Sequence, residues 1–156
     1  MKKKMWMVAA VLGLALILTG VAAAQEKPKA ATVNLKVLPP VVLKAFQAAY
    51  PNAVIKGASK ETEKGATQYE VESMDGALNR DLLYAADGKI LEIEESTAPE
   101  NLPAPVKQIL AKDYAGAKIL RAEILTKAGV KSFELAIELK GKKMEVTIDP
   151  QGKIVK

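Results

Sequence analysis

The stretch that decides the fold is LPPVVLKAFQAAYPNAVI at residues 38–55, which returns as LPAPVKQILAKDYAGAKI at residues 102–119. The same offset of 64 residues relates the whole of 38–92 to 102–156 without a gap. Internal repeats decide an architecture before any local pattern does, and two copies are too few for a solenoid. The sequence therefore predicts a tandem duplication of one small α+β unit.

Each copy begins with the pattern of a short helix and continues with the pattern of strands. Prolines stand where a first helical turn tolerates a missing N–H, and apolar residues follow at helical spacing as far as Tyr50 and Tyr114. Residues 132–140 then alternate polar and apolar side chains, which is typical of a half-solvated antiparallel sheet. We predict two tandem units of one helix plus a four-stranded antiparallel sheet, with the helices packed on one sheet face and the other face open.

The beginning of the chain has the pattern of a secretory signal peptide. Three lysines precede an apolar run, and small residues lead to a predicted cleavage between Ala24 and Gln25. An uncleaved anchor is the alternative, but a spanning helix needs about 20 apolar residues, and the run at residues 5–18 is shorter. The predicted divisions are 1–24 signal peptide, 25–37 flexible leader, 38–95 first repeat, 96–101 linker and 102–156 second repeat. The mature protein is expected to be periplasmic or secreted.

The composition argues against several classes of function. The chain has no Cys and no His, so it lacks disulfides, a Cys nucleophile and the commonest general base. Without the lysines of the signal segment, 20 basic side chains face 18 acidic ones, and this balance does not indicate nucleic-acid binding. No catalytic motif or nucleotide-binding loop is present, and a hydrolase built on paired carboxylates is the remaining catalytic alternative. We predict no enzymatic activity, no cofactor, no nucleic-acid partner, and a membrane contact only through an uncleaved signal segment.

The open sheet face carries the residues that we single out as a candidate site. If Asp75-Gly76 and Asp87-Gly88 each form a two-residue turn, Glu70 lies opposite Asp81, and Asp81 lies opposite Glu94. Like charges directly opposite each other destabilise a sheet by roughly 0.2 to 1 kcal/mol. A row of three carboxylates therefore suggests a compensating cation, either Ca²⁺ or the basic surface of a partner. A solvated acidic face, screened by salt, is the simpler alternative.

The second copy predicts a similar arrangement. A turn at Gly141-Lys142 would place Glu138 opposite Glu145 and Glu134 opposite Asp149. Strict equivalence of the copies would shift the first hairpin of copy one, keep the faces and remove the opposition of Glu70 and Asp81. Whether a metal binds is left open, and the candidate metal ligands are Glu70, Asp81 and Glu94. The predicted partner-binding residues, which include a hairpin tip, are Glu70, Glu72, Met74, Asp75, Asp81, Glu94, Glu134, Glu138 and Glu145.

The repeated motifs resemble a known family. They are a Leu-Pro start, Tyr50-Pro51-Asn52-Ala53, Tyr69-Glu70-Val71-Glu72 and Asp87-Gly88-Lys89-Ile90, each echoed in the second copy. Together they resemble the PepSY-like domains of secreted bacterial proteins, which are grouped with the β-lactamase-inhibitory-protein fold. The resemblance covers residues 38–156. It implies two helix-plus-four-strand units side by side in one long curved sheet, in an exported protein that binds or inhibits without chemistry of its own.

The resemblance also implies how such a protein would bind. Inhibitory proteins of this fold use a hairpin loop and the concave sheet, and residues 74–77 take a similar place in the topology. We therefore predict an exported, non-enzymatic binding or inhibitor-like module that engages a protein partner through its open sheet face and hairpin tips. The partner is unidentified; a peptidase or a cell-envelope component would fit. The alternative is a Ca²⁺-responsive or cation-binding periplasmic protein that uses the acidic rows.

Overall fold

Seven antiparallel strands follow one another in chain order in a single sheet, in a computed structural model that describes residues 33–63 and 65–155. The strands are β1 (Val54–Glu63), β2 (Ala66–Asp75), β3 (Leu78–Ala85), β4 (Ile90–Ser96), β5 (Lys118–Lys127), β6 (Val130–Leu139) and β7 (Lys142–Ile148). The helices are α1 (Pro40–Ala49) and α2 (Ala104–Asp113), with short 3₁₀ helices at Leu35–Val37 and Pro99–Asn101. The predicted signal peptide, with its cleavage site at Ala24 and Gln25, lies outside the described residues.

The prediction of two tandem units, each with one helix and a four-stranded sheet, is wrong. The two repeats share one seven-stranded sheet, because β4 of the first repeat pairs with β5 of the second, from Glu92 opposite Lys127 to Ser96 opposite Glu123. The second repeat contributes three strands, and the residues equivalent to β4 make only a bridge between Ile154 and Ile148. Pairing β4 with β5 also satisfies the backbone N–H and C=O groups along two strand edges, which two separate sheets would leave exposed.

Both helices pack on the same face of this sheet. In the first repeat, Val42 and Phe46 of α1 are buried in one apolar cluster with Leu82 of β3. In the second repeat, Val106 of α2 is buried in a second cluster with Leu135 of β6. Side chains alternate along a strand, so the neighbours of these buried residues point to the uncovered face. Among residues 33–63 and 65–155, no helix is long and apolar enough to span a membrane.

The repeated glycine of the Gly-Lys-Ile motif permits a close contact between a turn and the start of a helix. Gly88 has φ +85°, and a Cβ placed on it would lie 3.2 Å from the carbonyl oxygen of Val41. Gly152 has φ +88°, and its Cβ would lie 2.9 Å from the carbonyl oxygen of Pro105. The two contacts are related by the repeat offset. Glycine is required at both positions, because any side chain would strain the backbone and press on the helix.

The hairpin turns differ from the predicted ones by one residue. Asp75 pairs with Leu78, so the first turn is Gly76-Ala77 and the predicted Asp75-Gly76 turn is wrong. Leu139 pairs with Lys142, so the second turn is Lys140-Gly141, with φ values of 51° and 76°. Positive φ at both central residues is the type I′ geometry, which matches the twist of the strands that it joins.

The observed registers separate most of the predicted like-charge pairs. Glu70 lies opposite Leu83, and Asp81 lies opposite Glu72. In the second repeat, the predicted opposition of Glu138 and Glu145 is absent, because Glu138 lies opposite Lys143. Glu134 lies opposite Thr147 rather than Asp149. The predicted opposition of Asp81 and Glu94 is confirmed. All of these residues stay on the open face, because each register differs from the predicted one by an even number of positions.

The contact between the terminal turn and α2 can be tested by substitution. Gly152→Ala forces a positive φ on alanine and adds a clash with the carbonyl of Pro105, whereas Gly129→Ala forces the same φ region with no atom within 4 Å. We expect the free energy of unfolding to fall by about 1–3 kcal/mol more for Gly152→Ala than for Gly129→Ala. Urea denaturation measures both, and equal losses would contradict a contact between the turn and α2.

Candidate cation-binding site

Three carboxylates converge at the centre of the open sheet face. Asp81 of β3, Glu94 of β4 and Glu123 of β5 each offer an oxygen atom, and these three atoms all lie within 4.8 Å of one another. Asp81 and Glu94 are partly buried, and Glu123 is only 7% exposed. We call these three residues the carboxylate cluster. The pairing of β4 with β5 creates it, because that pairing places Glu123 of the second repeat beside Glu94 of the first.

Burial and mutual repulsion raise the pKa of all three carboxyl groups. For each group, the largest cause of the raised pKa is the loss of solvent on burial. Repulsion by Glu70 and Glu72 further raises the pKa of Asp81, and repulsion by Glu134 is the next cause for Glu94. The pKa of Glu94 is raised to about 8. A proton on Glu94 therefore relieves the same repulsion that a bound cation would relieve.

Two basic side chains form ion pairs with carboxylates in the cluster and beside it. The Nε atom of Arg121 lies 3.2 Å from Oε2 of Glu123. Its Nη2 atom lies 3.6 Å from Oε1 of Glu145 and 3.9 Å from Oε1 of Glu134. Lys127 forms a salt bridge with Glu92, which is on the same face of β4. The buried Oε2 atom of Glu123 has no hydrogen bond, so its contact with Arg121 is an ion pair with poor donor geometry.

The structure brings together part of the predicted site. Of the predicted metal ligands, Asp81 and Glu94 belong to the carboxylate cluster, whereas Glu70 does not belong to it and accepts a hydrogen bond of 3.1 Å from Oγ of Ser59. Asp75 is exposed at the end of the β2–β3 hairpin, and Met74 precedes it, partly buried. The remaining predicted residues of the open face lie on both sides of the cluster: Glu70 and Glu72 on β2, Glu134 and Glu138 on β6, and Glu145 on β7.

Sequence reasoning missed Glu123 and Arg121. Hairpin turns predict pairing only between strands of the same copy, whereas β4 pairs with β5 of the other copy. A signal was present, because Arg121 and Glu123 alternate with Ala122 and Ile124, which pack in the apolar core. This alternation places both charged residues on the open face once β5 is recognised as a strand.

The chain belongs to the family described as "Putative beta-lactamase-inhibitor-like, PepSY-like", whose profile matches it twice, at residues 24–92 and 67–156. The resemblance of the repeated motifs to this family is thereby confirmed. No curated protein matches the chain.

Solved structures of bacterial proteins share the fold. A BLIP-like protein from Bacteroides fragilis has 19% identity and a TM-score of 0.60, over 76% of this chain and 84% of that chain. A protein from Bacteroides eggerthii, described as a "putative periplasmic" protein, has 14% identity and a TM-score of 0.66, over 76% and 86%. A DUF2874 family protein from Bacteroides uniformis has 14% identity and a TM-score of 0.64, over the same shares. At such identities the likeness shows the fold alone.

The raised pKa values predict how stability depends on pH. Because the pKa of Glu94 is about 8 in the folded protein against an ordinary 4.5, the folded state holds more protons than the unfolded chain within that window. The free energy of unfolding should therefore fall as the pH rises from 4.5 to 8. Glu94→Gln mimics the protonated form, so it should flatten this slope and raise stability at the alkaline end.

Urea denaturation of both proteins across the window, in a chelating buffer, measures the effect. Glu138→Gln, at the far end of the same face, is the control and should keep the slope of the unsubstituted protein. An unchanged slope in Glu94→Gln would show that Glu94 does not hold the proton.

Proposed function

We propose that this protein is an exported, non-enzymatic binding protein that uses its acidic open sheet face to engage a basic group on a partner protein. The observation that carries the proposal is the convergence of Asp81, Glu94 and Glu123 on the sheet face opposite α1 and α2. Like charges held close together and partly desolvated are unfavourable, and a cationic partner would relieve this repulsion. Met74 and Asp75, at the neighbouring hairpin tip, would add contacts at the edge of the same surface.

Several observations support the remaining parts of this proposal. The basic, apolar and small-residue pattern of residues 1–24 supports export to the periplasm or beyond. The absence of His and Cys from the sequence supports a role without catalysis. Membership of a β-lactamase-inhibitor-like family supports a protein as the binding partner, with a peptidase or a cell-envelope component as the expected kind.

The proposal can be tested by capture with charge-matched variants. The full-length sequence is expressed with its own leader, recovered after export, immobilised and exposed to an envelope extract of the source organism. Glu94→Gln with Glu123→Gln removes two acidic groups from the cluster. Glu100→Gln with Asp113→Asn removes two exposed acidic groups from around α2 and is the control.

We expect one partner to be retained by the unsubstituted protein and by the control. The cluster variant should retain it at least ten times less strongly, because removing one side of a desolvated charge pair costs about 2–5 kcal/mol. Equal retention by all three proteins would contradict binding through the acidic face.

The same geometry favours a second candidate function, the binding of Ca²⁺. Carboxylate oxygens are the ligands that Ca²⁺ prefers, at about 2.3–2.6 Å. Three oxygen atoms within 4.8 Å of one another can contact a single ion placed between them. The residues that would hold it are Asp81, Glu94 and Glu123, with Glu123 in place of the predicted Glu70. Arg121, 3.2 Å from Glu123, would have to move aside or share that carboxylate.

Thermal unfolding distinguishes the calcium function from protein binding alone. If the cluster binds Ca²⁺, millimolar CaCl₂ should raise the Tm above its value in NaCl of equal ionic strength, because a ligand that binds only the folded state stabilises it. The rise should vanish in Glu94→Gln with Glu123→Gln and persist in Glu100→Gln with Asp113→Asn. Identical Tm values in both salts would eliminate the calcium function and leave protein binding untouched.

A further inference from the structure

On the open face, one cross-strand pair of residues differs between the two repeats in which strand carries the long, charged side chain. Arg121 of β5 corresponds to Gly57 of β1, and each of them follows an equivalent irregularity in its strand. Ala136, which pairs with Arg121, corresponds to Glu72, which pairs with Gly57. In the second repeat, the cationic Arg121 is therefore paired with a small residue. In the first repeat, the anionic Glu72 is paired with a glycine. A Cβ on Gly57 would lie 2.6 Å from the Glu72 carboxylate, so this carboxylate lies directly over the strand.

In the second repeat, the guanidinium group of Arg121 contacts carboxylates of three strands. Arg121 lies within 4 Å of carboxylates from β5, β6 and β7, namely those of Glu123, Glu134 and Glu145. Both Nε and Nη2 lie near carboxylates, so the positive charge of the group is shared among carboxylates of three strands.

The first repeat keeps two of the three carboxylates of this arrangement, because Ser59 stands where Glu123 stands in the second repeat. Glu134 corresponds to Glu70, and Glu145 corresponds to Asp81. Glu72 adds a third carboxylate, opposite Asp81 on the neighbouring strand. Within residues 33–63 and 65–155, no lysine or arginine forms a salt bridge with Glu70, Glu72 or Asp81.

We propose that the first repeat binds the guanidinium group of an arginine side chain that a protein partner supplies. The group would lie between the carboxylates of Glu70 and Asp81, which correspond to the carboxylates of Glu134 and Glu145 that Nη2 of Arg121 approaches in the second repeat. Its ligands would be the carboxylates of Glu70, Glu72 and Asp81. This inference rests on the proposed function, because it names the chemical group by which the partner engages the acidic face. Arginine is favoured over lysine, because its planar fork donates to carboxylates on adjacent strands at the same time.

NMR with a small arginine probe tests the site without the unidentified partner. N-acetyl-argininamide is titrated into the protein, and N-acetyl-lysinamide at equal ionic strength is the control probe. We expect saturable shifts of the Gly57 and Glu72 amide signals with the arginine probe, at least several times larger than those with the lysine probe. Equal responses to the two probes would overturn the proposal, because they would indicate only general attraction of a cation.

The other repeat supplies matched variants. Gly57→Arg with Glu72→Ala reproduces the Arg121 and Ala136 pair in the first repeat and should abolish the response. Gly57 does not have a positive φ, so an arginine at this position does not strain the backbone. The atoms nearest to its Cβ would belong to the side chain of Glu72, which this variant also removes. Persistence of the response in the folded variant would overturn the proposal. Should it fail to fold, Glu70→Gln with Asp81→Asn, which keeps the side-chain shapes, must abolish the response instead.

The reverse exchange gives a further measurement. Arg121→Gly with Ala136→Glu should produce a second set of saturable shifts, at residue 121, in addition to those at Gly57. If capture from the envelope extract depends on the cluster but the arginine probe binds nowhere, this inference fails and the proposed function stands. If the probe binds at Gly57 but the extract yields no partner, the proposed function fails.

Discussion

The pairing of β4 with β5 is the interaction on which the rest of this structure depends. It joins the last strand of one repeat to the first strand of the next, and so makes one seven-stranded sheet of two similar units. The helices then cover one continuous face and leave the other open. The same pairing brings Glu123 beside Glu94 and Asp81, which neither repeat could do alone. The fold and the candidate site therefore have one common physical origin.

The open face combines repulsion with partial compensation. The carboxylate cluster is buried enough to raise the pKa of its members. Arg121 is paired with only one of those members, Glu123, and Lys127 is paired with Glu92 beside the cluster. A chain under selection for stability alone would place apolar or basic residues at such positions. Local violations of good packing and charge balance are expected where a protein binds something, because the ligand supplies the missing interactions.

A comparison of the two repeats distinguishes residues that the fold requires from residues that are free to serve a binding site. Gly88 and Gly152 are the same in both, because the helix start leaves no room for a Cβ at either turn. Gly57 and Arg121 differ, although each follows the same irregularity in its strand and pairs with the equivalent position of the next strand. The packing constraint applies equally to both copies, whereas the charge on the open face is free to diverge.

The residue pattern alone predicts the repeat, the helix in each copy, the alternation of faces and the opposition of Asp81 and Glu94, because these depend on local periodicity and short turns. It misplaced the turns at Gly76-Ala77 and Lys140-Gly141 by one residue, because several two-residue turns fit the same glycines. Only the folded structure shows which strands join the two repeats and that Glu123 completes the cluster. Pairing between β4 and β5 spans the second helix, and no local pattern specifies the partner or register of strands so far apart in the chain.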